Sequence, residues 1–172
     1  LDLLPHDGNR YELIDGVLFV SAAPLIRHQL AQSELLERLF PYVRSVGMRA
    51  LSAPTAVRAS RWTEVQPDIL VVSSVPAGEL VRHVPMPVVT LAVEILSPST
   101  ADRDRGLKRQ AYLANGVGEF WVVDLDARAV DVWCDADAPV ARQEHTLIWH
   151  PVATQPALTL DLTAYFAAVL DA

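Results

Sequence analysis

With 172 residues, of which 51% are hydrophobic and 20% charged, the chain is long enough to bury a core, and its composition excludes a disordered protein. Its single cysteine excludes an internal disulfide framework, and its longest apolar run, residues 87–96, is too short to cross a membrane. The net charge of −7 disfavours a nucleic-acid partner, although residues 121–172, with two basic and eight acidic side chains, supply most of that charge.

The chain begins with a predicted β-hairpin and a long helix. Two β-prone runs, RYELI and VLFVS, are joined at Asp15-Gly16, a dipeptide typical of tight hairpin turns. The segment LIRHQLAQSELLERLF, residues 25–40, then carries apolar residues at helical spacing. We expect Pro41 to kink or end this helix and Gly47 to mark its stop.

The middle of the chain predicts three strands and a second helix. Residues 49–58 and the segment VQPDILVVS are β-prone, and residues 88–96 form the nearly continuous apolar run of a strand buried on both faces. Ser99 or Thr100 can cap the following helix, which Asn115-Gly116 should close after residue 114.

The last third predicts more strands and a short helix. GEFWVVDLDARAVDVWC indicates two strands around a tight turn, residues 158–162 a final strand, and LTAYFAAVL a terminal helix. The order of elements predicts an α/β (α+β) protein, with a central mixed sheet flanked by helices and an N-terminal β-hairpin. The length favours a single domain over residues 1–172.

Two carboxylates lie where carboxylates are costly. Glu94 interrupts the buried run 88–96, on the strand face that also carries Ala92 and Leu96. There it must be paired with a cation, bound to a metal or near the open end of the strand. A purely structural salt bridge to a nearby arginine explains the residue as well as a functional role does. Asp68 follows Pro67 at the mouth of another strand, where it could be an ordinary turn residue. Together, two acids from neighbouring strands would make a hard-oxygen site of the kind that magnesium favours.

Lys108 is the only lysine beside thirteen arginines. It lies on the helix that follows the Glu94 strand, so its ammonium can reach back to the strand ends. The simpler interpretation is a surface ion pair with Asp104, four residues earlier. The alternative is a chemical role, because a lysine ammonium can orient or deprotonate a water, or stabilise the charge that develops on a phosphate.

Several motifs, in one order, carry a resemblance to a known family. They are RYELIDG, Arg27-His28-Gln29, Gln66-Pro67-Asp68, EILSPST at 94–100 and EFWVVD at 119–124. Over roughly residues 8–133 this order resembles the Uma-type restriction endonuclease family, which is assigned to the PD-(D/E)XK nuclease superfamily. The resemblance implies a restriction-endonuclease-like core, namely a helix, three antiparallel strands, a helix and a further strand.

The resemblance also implies an active site. Asp68 and Glu94 would be the motif acids that bind Mg²⁺, with Mn²⁺ as a substitute, and the main-chain carbonyl of Ile95 the third protein ligand. The superfamily places its lysine two residues after the acid, where this sequence has Leu96. Lys108 on the following helix would take over that role.

Two further residues are weaker candidates. The resemblance implies that Glu12 approaches the metal. His28 could position a water or a phosphate, although a partly buried structural role is an alternative for a lone histidine on a helix.

The leading hypothesis is therefore a cytoplasmic, Mg²⁺-dependent endonuclease that hydrolyses phosphodiester bonds of DNA, with no membrane partner. A homodimer is expected from the two-fold symmetry with which such enzymes cut both strands. The rival hypothesis is a non-catalytic module of the same fold that acts in nucleic-acid or protein interaction, as Leu96 and the acidic net charge favour. Hydrolysis of another phosphodiester, such as RNA or a nucleotide, is a third option.

Overall fold

The computed structural model describes residues 7–75, 82–97, 100–138 and 140–171. Within these ranges the strands are β1 (Arg10–Ile14), β2 (Val17–Ser21), β3 (Arg49–Ser52), β4 (Ala56–Ser60), β5 (Thr63–Val65), β6 (Ile69–Val72), β7 (His83–Pro85), β8 (Val89–Ile95), β9 (Glu119–Asp124), β10 (Ala129–Trp133), β11 (Ala141–Gln143), β12 (Thr146–Trp149) and β13 (Leu158–Asp161). The helices are α1 (Ile26–Ser45), α2 (Ala101–Arg103), α3 (Arg109–Ala114) and α4 (Leu162–Leu170), with a 3₁₀ turn at Met86–Val88 and a π-helical turn at Asp104–Lys108.

The central sheet has six strands in the order β11-β10-β9-β8-β6-β3. The pairs β3·β6 and β6·β8 are antiparallel and β8·β9 is parallel, so the sheet is mixed, as predicted. A parallel pair needs a crossover connection, and the helical segment between β8 and β9 provides it. The order α1, three antiparallel strands, helix and parallel strand is the core that the sequence predicted.

A second sheet covers part of one face of the central sheet. Its strand order is β2-β1-β5-β4-β7, so it includes the predicted N-terminal hairpin. Asp15 and Gly16 form the hairpin turn with φ values of 49° and 84°, the left-handed region that Gly adopts at no steric cost. β12 and β13 form a separate two-stranded sheet.

The core lies on both faces of the central sheet. On one face, side chains of α1 and α4 such as Leu39 and Phe166 join a cluster with Leu91 and Trp121 of the sheet. On the other face, Tyr112 of α3 and residues of the second sheet join a cluster with Leu70, Ala92 and Phe120. Because side chains alternate along a strand, Glu94 shares the second face with Ala92.

Two boundaries differ from the predictions. Of the two effects expected of Pro41, it does not end α1, which runs on to Ser45. Pro41 and Glu37 are both exposed, so water can reach the Glu37 carbonyl that lacks its helical donor. Residues 49–58 are not one strand, because β3 and β4 belong to different sheets. Pro54 lies between them and cannot donate to a ladder.

The remaining elements largely follow the predictions. Gly47 and Gly116 have φ values of 78° and 90°, each just after a helix end, as expected for C-terminal glycines. Of the two predicted N-caps before α2, Ser99 lies outside the described residues, and Thr100 occupies the N-cap position without a side-chain capping bond. None of the described helices is long and apolar enough to span a membrane.

Candidate active site

The candidate site lies at one edge of the central sheet, where β6 begins and β8 ends. Ile69 pairs with Val93 and Leu70 with Ala92, so the same antiparallel register, extended by one residue, sets Asp68 opposite Glu94. Both acids line a cavity of about 280 Å³. Its other polar walls include Arg10, His28 and Lys108, which come from β1, α1 and the π-helical turn.

Asp68 is buried and fully hydrogen-bonded. Its Oδ1 accepts from Arg10 Nη2 at 2.9 Å, and its Oδ2 accepts from the Ile95 amide at 2.8 Å and lies 3.0 Å from His28 Nε2. Burial acts to raise the pKa of Asp68, but the His28 hydrogen bond, the Arg10 charge and the Ile95 amide together hold that pKa below its usual value. Asp68 is therefore ionised at neutral pH, and the nitrogen of His28 that faces it carries the hydrogen.

Glu94 is held by two donors on the helical segment. Its Oε1 accepts from Lys108 Nζ at 2.9 Å and from the Tyr112 hydroxyl at 2.8 Å. Burial raises the pKa of Glu94 to about 8, against the opposing charge of Lys108 and with support from the neighbouring carboxylates. Among the described residues no donor is bonded to the second oxygen, Oε2.

Lys108 is the centre of a buried charge cluster. Its Nζ lies 2.8 Å from Glu12 Oε1, 2.9 Å from Glu94 Oε1 and 3.7 Å from Asp104 Oδ1. Burial acts to lower the pKa of Lys108, but the three carboxylates raise it above its usual value. The ammonium thus stays protonated, and the Asp104–Lys108 pair is buried rather than the surface pair considered from the sequence.

This cluster contains more acid than base. Its three carboxylates, Glu12, Glu94 and Asp104, face two cations, Lys108 and Arg103. The Arg103 guanidinium lies 3.7 Å from Glu12 and 3.8 Å from Asp104, beyond hydrogen-bond distance of both. Glu12 Oε2 and Asp104 Oδ1 are buried without a hydrogen-bond partner among the described residues. Three carboxylates with two cations leave one negative charge, which a bound proton or a further cation can neutralise.

The residues present fit a divalent cation. Asp68 and Glu94 supply hard oxygen donors on the wall of one cavity, beside the main chain of Ile95. No group of three or more His, Cys, Asp or Glu side chains in the described ranges is arranged to hold a metal by itself. Magnesium does not require such a group, because it keeps several waters and takes one or two protein carboxylates.

The raised pKa of Glu94 predicts how stability depends on pH. The folded carboxyl binds its proton more tightly than the unfolded chain does, so unfolding releases a proton between about pH 4.5 and 8. We expect the metal-free protein to lose unfolding free energy, on the order of a few kcal/mol, as the pH rises through this window. Urea unfolding in EDTA at pH 6 and pH 9 measures this loss. Glu94→Gln should flatten the dependence, and an unchanged slope in that variant would contradict the assignment to Glu94.

The structure brings most of the predicted site residues together. Asp68, Glu94, Ile95, Lys108 and His28 line the one cavity. The Ile95 amide donates to Asp68, and metal binding by the Ile95 carbonyl stays a prediction.

The other two predicted positions lie around this group. Glu12 is buried beside Lys108 rather than among the described residues that line the cavity. Leu96, at the position where the resemblance implied a lysine, lines the cavity, and Lys108 lines the same cavity from the helical segment.

Sequence reasoning missed Arg10 and Tyr112 as residues of the site, and it placed Asp104 in a surface pair with Lys108. Arg10 pairs with Asp68 from β1, and Tyr112 and Asp104 lie one helical turn on either side of Lys108. The spacing of four residues was a usable signal for Asp104 and Tyr112. The sequence carries no comparable signal for Arg10, which is 58 positions from its partner.

A mixed sheet with this order of elements, and two acids meeting at one edge, defines a restriction-endonuclease-like fold. The family model described as "Putative restriction endonuclease" (Uma2) matches residues 1–164. The chain belongs to the Uma2 family.

One solved structure supports the same fold. It is that of a protein from Anabaena variabilis described as "a putative nuclease belonging to DUF820", which is 22% identical with a TM-score of 0.79, over 97% of this chain and 95% of that one. No curated protein is significantly similar to the chain in sequence.

Proposed function

We propose that the protein is a metal-dependent endonuclease that hydrolyses phosphodiester bonds of DNA. The observation that carries this proposal is that Asp68, Glu94 and Lys108 line the same cavity. They come from the residue before β6, from β8 and from the π-helical turn. Membership of a family described as restriction endonucleases supports a nuclease as the class of enzyme. A homodimer, which would present two such sites, stays a prediction.

Asp68, Glu94 and the main-chain carbonyl of Ile95 would hold Mg²⁺, with Mn²⁺ as a substitute. When bound, the cation polarises the phosphate and lowers the pKa of a bound water. Arg10 would then have a second task. By pairing with Asp68 Oδ1 it keeps that carboxylate ionised and fixed, as second partners of metal ligands commonly do.

Lys108 would act as a fixed positive charge. Its raised pKa makes it a poor base at neutral pH, so it cannot take a proton from water. Its ammonium instead holds Glu94 Oε1 and can stabilise the negative charge that grows on the phosphate during attack. Tyr112 donates to the same oxygen, so Glu94 Oε2 would be the oxygen that binds the cation.

His28 and Glu12 would have supporting roles. His28 lies 3.0 Å from Asp68 Oδ2 and restricts the orientation of that carboxylate. Glu12 accepts from the Gln66 amide at 2.8 Å and contacts Lys108, so it fixes the ammonium from the side of β1.

Cleavage of labelled oligodeoxynucleotides tests the proposal. With Mg²⁺ present, the protein should convert a single-stranded or duplex substrate to shorter products, and EDTA should stop the reaction. Absence of cleavage of both substrates, with Mg²⁺ and with Mn²⁺, would contradict the proposal.

The rival function, a non-catalytic binding module, is favoured by one observation. Arg10 and Lys108 pair with Asp68 and Glu94, so the protein itself supplies a cation to each acid. The two functions differ in metal binding. Calorimetric titration with Mg²⁺ or Mn²⁺ separates them. The nuclease hypothesis predicts that one cation binds per chain, and the rival predicts no cation binding at Asp68 and Glu94.

A further inference from the structure

The reactive groups of the candidate site are nearly enclosed. Asp68, Glu94 and Lys108 are 1%, 2% and 1% exposed, although all three line the cavity. A phosphodiester must therefore enter the cavity to reach them. The backbone of a duplex lies on the outside of a stiff rod, whereas a single strand can bend a phosphate and its flanking sugars into a concave site.

A second cavity adjoins the first. It has a volume of about 460 Å³ and shares Arg27, Leu96 and Ser97 with the first cavity. Both volumes lie near or within the range of pockets that take a single small-molecule-sized ligand. Two adjacent cavities of this size suit two consecutive nucleotides of an extended strand.

The walls of the second cavity suit a base rather than a phosphate. Arg27 and Arg105 are balanced there by Asp124 and Asp126, between apolar patches that include Leu125. Such a surface has no excess positive charge, but it offers donors, acceptors and apolar area. Unpaired bases present these features to a protein only in single strands or loops.

Arg27 lies where the two cavities meet. Its guanidinium is bound to Asp126 at 2.9 Å, and both side chains are partly open to solvent at 43% and 73% exposure. An exposed ion pair of this kind is weak, so a phosphate can replace the Asp126 carboxylate at small cost. Arg27 is thus placed to contact the phosphate between two nucleotides.

The surface outside the cavities also favours a single strand. The chain has a net charge of −7, which opposes the many backbone contacts that hold duplex DNA. Leu25, Ile26 and Leu30, at the start of α1, are 68%, 80% and 49% exposed, and Leu25 lines the first cavity. Apolar side chains at the entrance can contact the faces of unstacked bases.

We infer that the substrate is single-stranded DNA, or a locally unpaired segment of a duplex. The scissile phosphate enters the first cavity, the neighbouring nucleotide occupies the second, and Arg27 binds the phosphate between them. This inference rests on the proposed nuclease function and adds its substrate class.

The experiment compares one oligodeoxynucleotide in three forms: alone, fully paired, and paired except for a central bubble. With Mg²⁺, we expect the single strand to be cut at least tenfold faster than the duplex, and cleavage of the third form to fall within the bubble. Equal or faster cleavage of the full duplex overturns the inference while leaving the nuclease function intact.

A binding measurement tests the substrate class independently of the nuclease function. Glu94→Gln protein, which should not cleave, is titrated with the single strand and with the duplex by fluorescence anisotropy. At least tenfold tighter binding of the single strand supports the inference. Equal or weaker binding overturns it, even where the wild-type protein cuts neither form and the proposed function itself fails.

Arg27→Ala tests the path of the strand. We expect its KM for the single strand to rise five- to tenfold with kcat within twofold, and the slope of log affinity against log salt to shrink by about 0.7, the value for one phosphate contact on a single strand. Arg44→Ala removes the same charge at the exposed far end of α1 and should change neither quantity. Identical behaviour of the two variants overturns the proposed path.

Discussion

Glu94→Gln is expected to abolish Mg²⁺-dependent cleavage of DNA, lowering the rate by about 10³-fold or more. The amide keeps an oxygen that can accept from Lys108 and Tyr112, as Glu94 Oε1 does. It removes the negative charge that a divalent cation requires. Because Lys108 retains Glu12 and Asp104 as partners, the variant should fold. Initial rates on a labelled oligodeoxynucleotide, with unfolding curves in parallel, measure both effects.

Glu119→Gln provides the matched control. Glu119 lies at the start of β9 and accepts a hydrogen bond from Trp121 Nε1, and it is not among the described residues that line the cavity. The same change of side chain there should leave the cleavage rate within about twofold. A Glu94→Gln protein that folds and cuts as fast as the Glu119→Gln protein would remove Glu94 from the mechanism.

Lys108→Met should destabilise the fold more than any substitution on the surface. Methionine preserves most of the volume of the side chain but leaves Glu12, Glu94 and Asp104 together in a buried site without their ammonium. Removing one partner of a buried ion pair lowers the free energy of unfolding by about 3–5 kcal/mol. Urea unfolding at pH 9 measures the loss, because removal of the Lys108 charge raises the pKa of Glu94 further and a high pH is then needed to ionise the carboxyl.

Two comparisons make this prediction specific. Adding Glu94→Gln to Lys108→Met should recover part of the lost stability, because it removes one of the uncompensated charges. Arg128→Met breaks an exposed pair with Asp171 and should leave the urea midpoint unchanged. If Lys108→Met unfolds at the wild-type urea concentration, the cluster does not carry the charges assigned to it.

Glu94 and Lys108 were predictable because their signals were local. Glu94 stands out as a carboxylate within a buried apolar run, and strand alternation alone assigned it to the face of Ala92. Lys108 stands out as the only lysine, on the helical segment that must cross back over the sheet to reach β9. Both residues could therefore be placed near one sheet edge from composition, period and connectivity.

The remainder of the site depends on contacts that no local pattern encodes. Arg10 meets Asp68 because the N-terminal hairpin joins a second sheet over the central one. That sheet depends on β5, which is short and was not predicted as a separate strand, and on β4, which the sequence analysis merged with β3. The π-helical turn at Asp104–Lys108 likewise has no sequence marker, although it sets where the Lys108 ammonium enters. Even the charge state of Lys108 was not predictable, because it depends on three acids from β1, β8 and its own helical segment.

Anomalous scattering from crystals grown with Mn²⁺ tests most directly whether Asp68 and Glu94 form one metal site. We predict a single strong peak in the cavity, within ligand distance of a carboxylate oxygen from each of the two residues. A map without that peak at saturating Mn²⁺, in which Arg10 and Lys108 still pair with both acids, would contradict a metal-dependent reaction at this site.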